Sequence, residues 1–322
     1  MFKSLKIRKS ISIIIPAYNE EKNIMPLYKK LKETILKLKI PNYEIIFIDD
    51  GSADKTSEEI LKLCRDDKKV KGIIFKRNYG QTAAISAGID KSRGEIIILM
   101  DADLQNDPAD IPNLLKKIEE GYDVVSGWRY NRKDNFLTRV LPSKIANYLI
   151  SIISGVKLKD YGCTLKAYKK EFIKNIKIYG EMHRFIPIYA HINGAKITEI
   201  KVRHHPRRYG KSKYGLIRIF KVILDLLVVK FIESYWTKPI YFFGGVGFSV
   251  IIFSIIIALI VLIQKFFYKI WAHKNPLLTL AVMLFILGTQ FILFGVLAEI
   301  EVRNFFEIKK EPVYKISKKI NF

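Results

Sequence analysis

Asp101 and Asp103 stand one residue apart, with Ala102 between them, directly after the run Glu95-Ile-Ile-Ile-Leu-Met100. Two carboxylates at that spacing can share a hard divalent cation such as Mg2+ or Mn2+, which takes oxygen ligands and usually shares them with substrate phosphates. The chemistry open to the pair is therefore the holding of a metal-bound diphosphate. Taken alone, Asp-Ala-Asp is more simply a polar loop, but its setting changes the balance. The apolar run before it, β-branched at its start, reads as a strand buried on both faces. In an open α/β sheet, ligands bind at the carboxyl ends of the strands.

The elements that must position this pair follow from the periodicity around it. Residues 10–15 read as a buried first strand running into Pro16, and residues 20–38 have helical spacing through Ile24, Leu27, Leu31 and Ile35. Residues 43–48 form a second strand that ends on Asp49, Asp50 and the Gly51-Ser52 turn, with Ser52 or Asp54 able to cap the next helix. A third strand over 71–76, a helix over 81–91, a helix introduced by Pro108 and Pro112 and a fifth strand over 123–127 complete the alternation. Such an alternation predicts an α/β fold with a mainly parallel sheet and helices on both faces. The polar loops 16–20, 49–52 and 101–105 then converge on one sheet edge. Any one of them could be ordinary turn chemistry; three acidic loops at three strand ends are harder to dismiss.

The motifs occur in a fixed order: Ile15-Pro-Ala-Tyr-Asn-Glu20, Ile48-Asp-Asp-Gly-Ser-Ala-Asp54, Arg77-Asn-Tyr-Gly-Gln81, Met100-Asp-Ala-Asp-Leu-Gln-Asn-Asp-Pro108, Gly127-Trp-Arg129, Asp160-Tyr-Gly-Cys-Thr-Leu-Lys-Ala-Tyr168, Gly180-Glu-Met-His-Arg-Phe185 and Arg207-Arg-Tyr-Gly-Lys-Ser-Lys-Tyr214. This set resembles the family-2 glycosyltransferases of GT-A fold, and more narrowly the polyprenyl-phosphate sugar transferases. The resemblance covers roughly the first two-thirds of the chain. It implies that Pro16, Tyr18 and Glu20 frame the nucleotide base and ribose, and that Asp49 or Asp50 contacts the base. It further implies that Asn78 and Gln81 lie beside the nucleotide, and that Asp101, Asp103 and Gln105 hold the metal and diphosphate. Arg129, Arg139 and Ser143 are implied as holders of the acceptor phosphate, with Asp103, Arg129 and Asp160 as the catalytic set. Arg207 and Lys213 belong to a basic segment that would close over the diphosphate. Plainer roles stand beside these: a half-buried aromatic for Tyr18, a turn residue for Asn78, a loop carboxylate capping the Gly162 turn for Asp160, and a solvated basic run for residues 203–213.

The chain of 322 residues carries 55 Lys and Arg against 31 Asp and Glu, a formal net charge of +24. An anionic partner is implied, and an anionic membrane surface accounts for the charge without nucleic acid. Cys64 and Cys163 show neither metal-ligand nor redox spacing. The apolar run at 11–15 is too short for a signal peptide and ends in Pro16. Residues 241–263 and 276–298 contain no charged side chain, and each is long enough to cross a bilayer, which takes about twenty apolar residues.

The expected organisation is a catalytic domain over 1–214, with an interface helix at about 136–154. A second interface helix over 215–238, a membrane hairpin over 239–300 and a basic tail over 301–322 follow. The hairpin puts catalytic domain and tail on one side, and Lys and Arg in the tail favour the cytoplasmic one. Gly244, Gly245, Gly247, Gly288 and Gly295 permit close helix packing and would serve a homo-oligomer through the membrane helices.

The function expected from these observations is transfer of one sugar, with inversion, from a GDP- or UDP-sugar to a membrane polyprenyl phosphate. The competing expectations are a membrane-anchored transferase with a non-lipid acceptor and a catalytically silent nucleotide-sugar-binding scaffold. No Gln-x-x-Arg-Trp motif of the processive polymerases is present, which favours a single transfer.

Overall fold

The computed structural model describes residues 9–130, 141–174, 176, 178, 182–206, 239–271, 275–307 and 316–321. They fall into two compact units, one within Met1–Leu227 and Pro312–Phe322, the other within Val228–Glu311.

The first unit is built on a sheet of eight strands. β1 (Ile11–Ala17), β2 (Tyr43–Asp49), β3 (Val70–Phe75) and β4 (Ile96–Leu99) are parallel, in the order β4-β1-β2-β3. Their continuous Ile, Val and Phe runs are buried because helices cover both faces. α1 (Glu21–Leu38), α2 (Thr56–Asp66) and α4 (Ile111–Glu119) lay Leu27, Leu31, Leu63 and Leu114 against Ile13, Phe47 and Ile98. On the other face, α3 (Gln81–Lys91) sets Ala84 and Ile85 against Ile14, Ile48 and Leu99.

β5 (Val124–Arg129) runs in the direction the alternation predicts but does not lie next to β4. After α5 (Leu141–Ser154), β6 (Lys166–Lys169) is inserted between β4 and β5, antiparallel to both. α6 (Lys170–Ile173) and α7 (Ile186–Ile192) follow, and β7 (Ile197–Val202) pairs parallel with β5 at that edge. β6 is four residues long and carries a lysine at each end, so no periodicity marks it in the sequence. Its effect is to bring the segment before it, residues 160–165, between the ends of β4 and β5.

α5 shows how the expected interface helix is built over its described part. Asn147 and Ser151 turn inward and donate to the carbonyls of Lys159 and Leu158, while Tyr148 and Ile152, one turn apart, are exposed. The residues expected at 215–238 lie outside the described part of the chain.

The tail expected from its charge contains a strand. β8 (Ile316–Ile320) pairs antiparallel with β3 at the opposite edge of the sheet. Asn321 then donates from Nδ2 to the carbonyls of Cys64 (2.6 Å) and Val70 (2.8 Å). Asn321 has a left-handed backbone (φ 62°), a conformation that Asn tolerates better than most residues.

The second unit is two antiparallel helices, Ile240–Phe267 and Pro276–Glu307. Both are long and apolar enough to cross a membrane. Phe248, Ile255, Leu262, Met283 and Leu297 are exposed, as in a helix pair meant for lipid rather than for a soluble core. Gly247 and Gly288 meet at the helix contact: a Cβ on Gly247 would lie 2.5 Å from the Gly288 carbonyl oxygen. These two glycines are thus used within the hairpin, and Ser254 adds a hydrogen bond to the Ala281 carbonyl.

Candidate active site

Four loops at the carboxyl end of the parallel strands are tied into one body. The loop after β1 is stitched to the loop after β2. The Asn19 N–H donates to Ser52 Oγ (2.9 Å), the Ala53 N–H to Asn19 Oδ1 (2.9 Å), and the Glu20 N–H to Thr56 Oγ1 (2.8 Å). The loop after β2 reaches the loop after β3, where Asp50 accepts from the N–H groups of Tyr79 (2.7 Å) and Gly80 (2.9 Å). Gly51 makes that approach possible. It has φ 69°, and a Cβ there would lie 2.3 Å from the Arg77 carbonyl carbon. The last link joins α3 to the loop after β4: Gln81 Nε2 donates to Asp101 Oδ1 (2.7 Å).

Asp101 is held from both sides. Gln81 takes one oxygen, and Thr164 Oγ1, from the segment before β6, donates to the other (2.5 Å). Asp103 is buried and turns back to accept from the Gln105 N–H (3.1 Å), with Leu104 between them at φ 61°. Ala102 is buried beneath the pair. Among the described residues no group of three or more His, Cys, Asp and Glu side chains could hold a metal by itself. Two carboxylates and the amide oxygen of Gln105 suit a Mg2+ or Mn2+ that completes its shell with substrate phosphate and water. The hard-oxygen donor set fits the expected ion on that count.

Asp49 is fully buried, and its oxygens accept from the Ser52 N–H (3.1 Å), from Ser52 Oγ (2.5 Å) and from Ser57 Oγ. Of the two acidic residues expected at the base, Asp49 therefore builds the turn and Asp50 ties the loops. Glu20 accepts from Asn23 Nδ2 (2.5 Å). Pro16 lies inside β1, Tyr18 is half-buried beyond its end, and Asn78 is exposed at the rim.

On the other side of residues 160–165 stands Arg129, at the end of β5. Its Nε and Nη2 donate to the two oxygens of Asp160 (2.7 and 2.8 Å), and its backbone N–H adds a third bond (3.2 Å). Burial lowers the Arg129 guanidinium, but the Asp160 carboxylate outweighs it and holds the pKa above its ordinary value. Asp160 is thus paired on both oxygens, as a positioning carboxylate is. Arg139, Arg207 and Lys213, together with the side chain of Ser143, lie outside the described residues.

The root of the basic segment is nonetheless visible. Arg203 forks onto Asp110 (3.0 and 2.9 Å), His205 Nε2 meets Asp107 (3.0 Å), and the His205 N–H donates to the Gln105 carbonyl (2.8 Å). Residues 203–205 are therefore anchored beside the loop after β4.

Sequence reasoning gave no role to Thr164, although it lies in a motif already singled out. Its neighbour Asp160 was expected in the catalytic set, but the contact of Thr164 with Asp101 follows only from the passage of β6 between β4 and β5.

The site is that of a sugar-nucleotide transferase of mixed α/β fold. Residues 12–177 match the model of "Glycosyl transferase family 2", and the chain belongs to that family. It is similar to the dodecaprenyl-phosphate galacturonate synthase of Rhizobium johnstonii, with 41% identity over 94% of this chain and 91% of that protein. It is also similar to the undecaprenyl-phosphate 4-deoxy-4-formamido-L-arabinose transferase of Photorhabdus laumondii, with 35% identity over 96% of this chain and 94% of the relative. Among solved structures it shares the GT-A-type fold of Mycobacterium tuberculosis glucosyl-3-phosphoglycerate synthase in complex with Mn2+, UDP and phosphoglyceric acid. That likeness has a TM-score of 0.51 and 16% identity, and covers 70% of this chain and 78% of that one.

Proposed function

We propose that this protein transfers a single sugar from a nucleotide-sugar donor to a membrane polyprenyl phosphate. The observation that carries the reading is the position of residues 160–164: Thr164 grips Asp101 at the end of β4, and Asp160 grips Arg129 at the end of β5. One short segment thereby holds a diphosphate-binding carboxylate and a phosphate-binding guanidinium side by side. The names of the two polyprenyl-phosphate relatives, matched over nearly the whole chain, agree with such an acceptor.

The lipid phosphate oxygen attacks the anomeric carbon. A C–O bond forms there as the bond to the nucleoside diphosphate breaks, and the diphosphate leaves with the electron pair. A monoester phosphate has a second pKa of about 6 and is already ionised, so it needs location rather than a general base. Arg129, fixed by Asp160, offers a planar fork for that purpose. A divalent ion held by Asp101, Asp103 and Gln105 would supply Lewis-acid charge at the leaving diphosphate. Gln81 and Thr164 keep Asp101 turned toward it. Arg207 and Lys213 follow an anchored root beside the same loop and are assigned to the diphosphate. Arg139 and Ser143 are assigned with Arg129 to the acceptor. Pro16, Tyr18, Glu20, Asn78 and one of the pair Asp49 and Asp50 are assigned to the nucleoside. A direct displacement inverts the anomeric centre, and product stereochemistry tests that step.

The hairpin is assigned to the membrane, with catalytic unit and tail on the cytoplasmic side. The pairing of β8 with β3 supports a common side, because a tail beyond two crossings returns to the face from which the chain entered. The domains are assigned as a catalytic domain over 1–214, an interface helix over 215–238, a membrane hairpin over 239–300 and a tail from 301, whose strand at 316–320 joins the catalytic sheet.

The test is incubation of the purified protein with undecaprenyl phosphate, Mg2+ or Mn2+, and labelled UDP- and GDP-sugars. Label from one donor should pass into the organic phase and be lost in Asp103→Ala. Absence of lipid label from every donor, with nucleotide still bound, overturns the reading.

A further inference from the structure

Beyond Val202, the last residue of β7, the chain crosses the loop that follows β4. His204 pairs antiparallel with Asn106, and the His205 N–H donates to the Gln105 carbonyl (2.8 Å). The Gln105 N–H is held in turn by Asp103 Oδ1 (3.1 Å). Both backbone groups of Gln105 are therefore fixed, one from each side. Leu104, just before it, is buried with a left-handed backbone (φ 61°), a conformation that a leucine adopts only where its surroundings impose it.

A side-chain staple holds the crossing in place. Arg203 donates from its backbone N–H (2.7 Å), from Nε (3.0 Å) and from Nη2 (2.9 Å) to the carboxylate of Asp110. Its Nη1 lies 3.4 Å from Asp107, which also meets His205 Nε2 (3.0 Å). Asp110 is buried and stands at the N-cap position of α4, where an aspartate ordinarily accepts from a helix N–H. Its side chain makes no capping bond there. Both its oxygens go instead to Arg203, 93 residues further on. An aspartate that forgoes the local cap for a remote guanidinium serves the crossing rather than the helix.

We infer that Asp110 is a positioning residue of the donor site: through Arg203 it fixes residues 203–205 against residues 105–107, and so sets the backbone of Gln105 for the divalent ion that binds the diphosphate. Asp110 touches neither ion nor substrate. Its effect reaches Gln105 through Arg203 and the His205 N–H. The inference rests on the reading above that Asp101, Asp103 and Gln105 hold the metal, and it names a residue that reading does not use. Partners that orient a metal ligand from outside its coordination shell change metal affinity by about 10- to 100-fold.

The experiment measures binding rather than turnover. UDP and GDP are each titrated calorimetrically into the purified full-length protein, once with Mn2+ and once with EDTA. The ratio of the two affinities reports the coupling between metal and diphosphate. In the wild type, Mn2+ should tighten one nucleotide. Asp110→Asn and Arg203→Lys should each lose about tenfold of that tightening and keep the affinity measured in EDTA. The double variant should lose no more than either single one, because both changes break one link. Arg203 is half-exposed, so Arg203→Lys carries the test even where Asp110→Asn fails to fold. Undiminished tightening in Arg203→Lys overturns the inference. So does an equal loss in EDTA, which would make the staple a support of the fold alone, and so do additive losses in the double variant. If Mn2+ tightens neither nucleotide in the wild type, the metal reading itself fails, and the inference falls with it.

Discussion

Arg129 and Asp160 are one unit. The guanidinium sets Nε and Nη2 on the two carboxylate oxygens at 2.7 and 2.8 Å, and both side chains are largely buried. Two residues expected in the catalytic set are thus joined, and each depends on the other for its orientation.

Breaking that unit from one side leaves a buried charge without its partner. Asp160→Asn should lower stability by about 3 kcal/mol or more, the usual cost of orphaning a buried ion, and should reduce transfer to lipid more than donor binding. Thermal unfolding of the solubilised protein and nucleotide titration separate the two effects. Arg129→Lys keeps the charge but loses the fork, so its activity should fall with a smaller loss of stability. Equal stability in Asp160→Asn and wild type would show that the pair carries no structural weight.

Thr164 reaches Asp101 from a different strand end than Gln81 does. Thr164→Val removes the hydroxyl at nearly constant volume. An outer hydrogen bond of this kind is worth about 10- to 100-fold in metal affinity. The metal concentration for half-maximal activity should rise accordingly, with maximal rate recovered at high Mg2+ or Mn2+. An unchanged metal dependence would remove Thr164 from the site.

Glu44 and Lys71 form a buried ion pair at 2.6 Å on the neighbouring strands β2 and β3. Burial pushes Glu44 up. The Arg93 N–H, the Lys71 ammonium and the Ser12 hydroxyl outweigh it, and hold the carboxyl below its ordinary value. A depressed carboxylate contributes stability that is complete above its unfolded value, near 4.5, and is lost as pH falls through the folded one. Acid unfolding of the catalytic unit should therefore begin below about pH 4.5. Glu44→Gln should be less stable at pH 7 and should show a shallower loss on acidification. A parallel acid profile in the variant would contradict the assignment.

Asn321 satisfies two carbonyls, of Cys64 and Val70, with a single side-chain amide. Asn321→Ala removes both bonds, at about 1 kcal/mol each. Removal of residues 316–322 also strips Ile320 from Gly72 and leaves β3 as an open edge. Stability should fall by about 2 kcal/mol in the point variant and further in the truncation, read by proteolysis of the membrane-embedded protein. Identical protease sensitivity in all three chains would show that the tail contributes nothing to the fold.

Local pattern carried much of this protein. The buried runs of β1 to β4, the stripe of α1 and the uncharged stretches at 241–263 and 276–298 are written in nearest-neighbour periodicity. So is the placement of the acidic loops at strand ends, because parallel strands put those ends on one edge. Tertiary structure decided what spacing cannot express. β6 lacks a pattern of its own because it is defined by the two strands it separates, and only its insertion brings Thr164 to Asp101 and Asp160 to Arg129. β8 reads as a basic tail until β3 offers it an edge. Lys166 looks like any other strand lysine until burial removes its water and leaves its ammonium on the Tyr161 carbonyl. Periodicity records which residues face a core; the charge balance of a buried cluster depends on groups that only the folded chain brings together.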